Sequence, residues 1–127
     1  MSFRQTLRKF FGNRAETRED HVDKTLQTRY YKTTKDRALD SLENSFKNSQ
    51  TYKLNSISKD HGEISLLKTK GRKAFIVVTV IMVKPFQTAV DFSVSSESIL
   101  PFDFGYSTKL IQELYELVNK DLPLIDK

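Results

Sequence analysis

From Ala74 to Val83 the chain reads Ala-Phe-Ile-Val-Val-Thr-Val-Ile-Met-Val, and only Thr79 in that run is polar. A stretch this apolar and this rich in β-branched side chains is too short for the roughly 18 apolar residues of a membrane-spanning helix, and it has the length of a strand. Apolar on both faces, it predicts a central strand with one face on helices and the other at least partly covered. Pro85-Phe86-Gln87 turns the chain, and the residues beyond it alternate. Thr88, Val90, Phe92 and Val94 fall on one face, with Ala89, Asp91, Ser93 and Ser95 on the other, as in a half-buried antiparallel strand. Any fold for this chain must therefore be built round an antiparallel sheet.

The remaining elements read outward from that pair. Leu26 to Lys32 holds β-formers and predicts a short edge strand. Thr33 or Thr34 caps a helix to about Asn48, with Ala38, Leu39, Leu42 and Phe46 as its apolar stripe; Thr33 and Asp36 stand at capping-box spacing. Tyr52 to Ser58 and Glu63 to Thr69 predict two further strands, joined by Asp60-His61-Gly62 and followed by the turn Lys70-Gly71-Arg72. A closing helix from Gly105 or Ser107 to Lys120 carries Leu110, Ile111, Leu114, Leu117 and Val118. The expected architecture is a two-layer α+β domain over 26–127, with an antiparallel sheet of four to five strands, two helices on one face, and the order β-α-β-β-β-β-α.

Charge is distributed unevenly. Of 127 residues, 21 are Lys or Arg and 16 are Asp or Glu, a formal charge of +5, but Arg4, Arg8, Lys9 and Arg14 supply +4 of it before the first acid appears at Glu16. The domain proper is nearly neutral, its basic residues mostly have acidic neighbours, and a nucleic-acid partner is not expected. The chain has no cysteine, which removes disulfides, thiolate metal sites and thiol nucleophiles. Nine Phe and five Tyr supply core material despite a hydrophobic fraction of 38%, so disorder of the whole chain is not expected.

Within the basic segment, Phe3, Leu7, Phe10 and Phe11 recur at helical spacing, Arg4 and Lys9 flank that face, and Arg8 lies farther round. Gly12-Asn13 marks the expected helix end, and the polar residues 14–25 predict a linker or short solvated helix. Residues 1–13 read as an amphipathic helix that sets its Phe/Leu face among lipid chains and its cations against anionic headgroups. The same stripe suits packing on the domain or on a second copy, and a disordered arm is the third alternative. The segment lacks the apolar core and cleavage site of a secretory signal and is short for a mitochondrial transit peptide.

A second basic group, Lys68, Lys70, Arg72 and Lys73, straddles a turn and suits anion contact; the plainer reading is that it keeps an edge hairpin soluble. His21 and His61 lack the surrounding ligands of a metal site and read as solvated, and Asp91 lines a small polar groove or faces water. No phosphate-loop, dinucleotide, zinc-protease or EF-hand pattern occurs, so no cofactor is expected.

The segment from Val90 to Ser107, Val-Asp-Phe-Ser-Val-Ser-Ser-Glu-Ser-Ile-Leu-Pro-Phe-Asp-Phe-Gly-Tyr-Ser, resembles the end of bacterial domain-of-unknown-function family fourteen-ninety-nine. That family closes with a strand, a Ser-x-Ser-Arg turn, an Asp-x-Gly-x-Asn step and a helix. Ser95, Asp103 and Gly105 match it without a gap, while Ser98 stands in place of the arginine and Ser107 in place of the asparagine. Tyr30-Tyr31, Leu39, Leu42 and Gly62-Glu63-Ile64 extend the likeness over roughly 26–118. The family has no established activity, so the resemblance implies an architecture rather than a reaction. Together these features predict a cytoplasmic, non-enzymatic bacterial binding domain held at the inner face of the membrane by Phe3, Arg4, Leu7, Arg8, Phe10 and Phe11. The alternative is a homo-oligomeric or partner-binding domain whose N-terminal helix docks on protein.

Overall fold

A computed structural model describes residues 14–96 and 105–125. The helix expected over 1–13 lies outside the described residues. Six strands form one antiparallel sheet: β1 (Arg14–Glu16), β2 (Arg29–Tyr31), β3 (Tyr52–Ser58), β4 (Glu63–Lys68), β5 (Ala74–Lys84) and β6 (Gln87–Ser96). Two helices complete the α+β fold, α1 (Lys35–Lys47) and α2 (Tyr106–Asp121). The order across the sheet is β1-β6-β5-β4-β3, and β2 also pairs with β6.

The expectation of four to five strands is corrected to six. The stretch 14–25, read as a polar linker, begins with β1 and ends in a 3-10 turn at Lys24–Leu26, so the expected element order is corrected at its start. Of the strand expected over Leu26 to Lys32, only Arg29–Tyr31 pairs in the sheet. Both corrections have one physical source. β1 and β2 lie end to end on the same edge of β6, with Arg14 opposite Ser95 and Tyr31 opposite Thr88. Each is three residues long and takes its hydrogen bonds from a strand already held in place, so neither needs a strong pattern of its own.

Alternation in the strands sorts the sheet into two faces. Ala74, Ile76, Val78 and Val80 of β5, with Val90, Phe92 and Val94 of β6 and Ile64 and Leu66 of β4, join the two helices in a single buried core. From α1 come Ala38, Leu39, Leu42 and Phe46; from α2 come Leu110, Ile111, Leu114, Tyr115 and Val118. Leu117, expected in the α2 stripe, is partly exposed, and Tyr115 takes the buried place beside it. Thr34 caps α1 by accepting from the Arg37 N–H.

The hydroxyls of Tyr31 and Tyr115 in this core have partners. Tyr115 donates to the Val90 carbonyl at 2.7 Å, its ring meets Phe92 edge-on at 4.8 Å, and the Arg29 guanidinium lies 4.3 Å over its other face. The Tyr31 hydroxyl lies 2.5 Å from the Asn119 side-chain amide; with that amide turned to satisfy both its atoms, its nitrogen donates to the Tyr31 hydroxyl and, at 3.1 Å, to the Tyr115 carbonyl, and Arg29 donates to its oxygen at 3.3 Å. Burial lifts the Tyr31 and Tyr115 phenols above their usual range. The C-terminal residues then close over β2, through Lys32 N–H to the Pro123 carbonyl and Ile125 N–H to the Tyr30 carbonyl.

Candidate functional site

Strand β5 is longer than its neighbour β4, and the excess forms a cluster of exposed apolar side chains among the described residues. β4 starts at Glu63, opposite Thr79, so among the described residues β5 beyond Val80 has no further partner on that side, while β6 pairs it to the end of the hairpin. The projecting tip runs from Ile81 through Pro85-Phe86 to Gln87. Ile81, Met82, Val83 and Phe86 are exposed to 51%, 46%, 51% and 57%. The sequence analysis placed Ile81 to Val83 in a covered central strand; the structure ends that cover at Val80. The signal that marks the tip is the length of the apolar run beside a six-residue β4, together with a turn that lacks glycine.

Two backbone irregularities shape the tip. Met82 pairs with Thr88 and Lys84 with Gln87, which leaves Val83 as an extra residue in β5, a bulge that bends the strand and re-aims its side chains. Pro85-Phe86 then turns the chain with Phe86 at φ 56, the pattern of a type II turn with its left-handed position filled by phenylalanine rather than glycine. A bulky residue there costs about 1–2 kcal/mol. A strained, half-exposed Phe at the apex of a projection brings nothing to the core, and residues held against local preference concentrate at functional sites. Lys84 in the tip and Lys32, one residue past the Tyr31–Thr88 pair, are exposed cations at the same end of the molecule.

The basic group Lys68, Lys70, Arg72 and Lys73 is dispersed by the hairpin that carries it. Lys68 turns its ammonium onto the carbonyls of Lys70 and Arg72, closing its own turn round Gly71, which has φ 67. Tyr106 donates to the Arg72 carbonyl at 2.7 Å, the Arg72 guanidinium lies 4.6 Å over the Tyr106 ring, and the Lys68 ammonium lies 5.8 Å from it. Lys70 reaches Gln50 at 3.4 Å, and Lys73 stands exposed at the start of β5. The structure therefore brings Lys68 and Arg72 together round one ring and sends Lys70 elsewhere. Phe3, Arg4, Leu7, Arg8, Phe10 and Phe11 lie outside the described residues.

On the outer sheet face, away from both helices, a groove of about 490 Å³ is lined by β1, β4, β5 and β6. Asp91 lines it, and one carboxylate oxygen accepts from the hydroxyls of Thr17 and Thr28, both at 2.6 Å. Those two threonines bracket the excursion between β1 and β2, so Asp91 holds both half-strands at the gap between them. Each histidine serves its own turn: the His21 ring accepts the Asp23 N–H at 3.0 Å, and the His61 ring lies 2.8 Å from the Ser58 hydroxyl. Among the described residues no group of three His, Cys, Asp or Glu is placed to hold a metal ion, and no helix is long and apolar enough to cross a membrane.

Comparison with known proteins leaves the architecture and the tip to stand on their own: no family model, no curated protein and no solved structure matches this chain.

Proposed function

We propose that this protein is a binding domain rather than an enzyme, and that it attaches reversibly to an anionic membrane surface through the β5–β6 hairpin tip and its basic N-terminal segment. The observation that carries the reading is the projecting tip itself, with four large apolar side chains about half exposed round a strained Phe86. A convex apolar projection fits a fluid acyl layer, whereas small-molecule sites are concave. Fully burying each such side chain is worth about 1.5–3 kcal/mol. Completing the burial of four half-exposed ones therefore supplies roughly 4 kcal/mol, and Lys84 and Lys32 near an anionic surface add about 1 kcal/mol each. The sum lies between millimolar and micromolar affinity, which makes attachment reversible.

Residues 1–13 join this reading through their length and charge. β1 enters the sheet at Arg14, opposite Ser95, at the far end of β6 from the tip. A strand of the length of β6 spans about 33 Å, and residues 1–13 extended reach about 43–47 Å, so both contacts can meet one surface. The fourteen-ninety-nine resemblance remains part of the proposal for the architecture, and a cytoplasmic location at the inner membrane face follows the same reading.

Co-sedimentation with phosphatidylcholine vesicles doped with phosphatidylserine tests it, using the full chain and a Val83→Ser/Phe86→Ser variant. Binding that needs phosphatidylserine and drops at least tenfold in the variant is expected. Equal and negligible binding by both proteins overturns the proposal, as does a folded variant that binds as well as the parent.

A further inference from the structure

We propose that Met82 is a reversible oxidation site: a peroxide converts its thioether to the sulfoxide, and the sulfoxide releases the hairpin tip from the membrane. The site itself rests on the fold, and the release rests on the membrane reading above.

The fold keeps sulfur out of the core. The chain holds two methionines, Met1 and Met82, and no cysteine, and Met1 lies outside the described residues. The buried core is made of Leu, Ile, Val, Ala, Phe and Tyr alone. Met82 lies two residues beyond Val80, on the strand face that carries Ala74, Ile76, Val78 and Val80 into that core, yet it is 46% exposed. It stands where the cover of the core has ended, among Ile81, Val83 and Phe86 on the projecting tip. Exposure governs how readily a side-chain sulfur is oxidised, so the domain carries its oxidisable sulfur on the surface proposed to touch lipid.

The reaction needs only a hydroperoxide, here hydrogen peroxide. The Met82 sulfur attacks one peroxide oxygen, the S–O bond forms as the O–O bond breaks, and the thioether gives up two electrons. The departing hydroxide takes the proton of the transferred oxygen, leaving one water and a neutral sulfoxide. Reversal oxidises two thiols of a reductase to a disulfide and returns the oxygen as water; with no cysteine in this chain, those thiols belong to another protein.

The position makes the added oxygen count at the surface and not in the core. Met82 pairs with Thr88, Thr88 with Tyr31, and Tyr31 bridges to Leu124, a row across the sheet whose middle is buried and whose two ends are exposed. Thr88 already donates its hydroxyl to the Thr33 carbonyl at 2.7 Å, so the residue directly opposite Met82 has no proton to offer the sulfoxide. The S=O group takes its hydrogen bonds from water, and a tip that carries it enters an acyl layer only by giving them up.

Hydrogen peroxide treatment of the full chain, read by peptide mass spectrometry, calorimetry and co-sedimentation with phosphatidylserine-doped vesicles, tests the proposal. Met82 is expected to gain one oxygen atom at a rate within about fivefold of that in the urea-unfolded chain. The melting temperature is expected to hold, and vesicle binding to weaken at least about tenfold and return on treatment with methionine sulfoxide reductases and a dithiol. Met82→Leu, apolar but without sulfur, is expected to bind as the parent does both before and after peroxide. Slower oxidation of Met82 than that limit overturns the proposal, as does unchanged binding by the oxidised chain. An equal loss of binding in peroxide-treated Met82→Leu also overturns it, since the effect then lies elsewhere in the chain. An untreated parent that binds no vesicles overturns the membrane reading and the release with it, and so is told apart from the other failures, each of which is read on a parent that binds.

Discussion

Asp91 shows how a single side chain sets the edge of this sheet. The Thr17 hydroxyl donates to it and also accepts the Phe92 N–H at 3.0 Å, while Thr17 N–H bonds the Phe92 carbonyl at 2.9 Å. Thr17 and Thr28 are buried, so removing the carboxylate leaves two buried hydroxyls to find other partners. Asp91→Ala is expected to destabilise the fold by about 2–4 kcal/mol, and Asp91→Asn by less, because its amide oxygen still accepts; urea denaturation of both measures this. At the same scale, the hydrogen bond to Glu19 pushes the Tyr30 phenol up to about 12, and burial does the same to Tyr52. Phenols in the unfolded chain lose their protons near pH 10. Between about pH 10 and 12 the unfolded state therefore binds fewer protons than the folded one, and stability, level below that window, falls through it. Urea midpoints are expected to hold to about pH 10 and then decline, and Tyr30→Phe is expected to make the decline shallower.

Among the elements, the β5–β6 hairpin separates what the fold needs from what the surface presents. Phe86→Gly relieves the left-handed strain at φ 56, so the variant is expected to melt at or above the parent temperature while binding phosphatidylserine vesicles less well; calorimetry and co-sedimentation on one sample read both. Gly62 is the opposite case. At φ 67 it closes the β3–β4 turn, accepts the Val80 N–H, and would place a Cβ 2.2 Å from the Val80 carbonyl oxygen. Gly62→Ala is expected to cost at least about 2 kcal/mol, seen as a lowered melting temperature. The long apolar run of β5, the alternation of β6 and the α1 stripe were legible because each repeats its pattern over many residues. β1 was not, since Arg-Ala-Glu has no pattern to read and is extended only because β6 offers it a vacant edge. Tyr115 replaced Leu117 in the core for a reason that lies in tertiary contacts, namely the Val90 carbonyl and the Arg29 guanidinium that receive its hydroxyl and ring. The tip was misread because apolarity on both faces looks the same whether a strand is covered or simply outlasts its neighbour.

Across the whole molecule the two features of interest sit at opposite ends of β6, with the apolar tip at Gln87 and the entry of the basic segment at Ser95. The antiparallel pairing of β1 with β6 then has a mechanical meaning. Any pull on residues 1–13 enters the domain at Arg14 and runs along β1, so it loads the three pairs Arg14–Ser95, Ala15–Val94 and Glu16–Ser93 in shear, all together rather than one by one. Beyond them the Asp91 contact with Thr17 and Thr28 ties the excursion back to β6, so force that slides β1 free is caught at the next turn of chain before it reaches β2. A chain tethered by its first residues would thus give at its edge in two steps while the core of β3 to β6 and the helices stays shut.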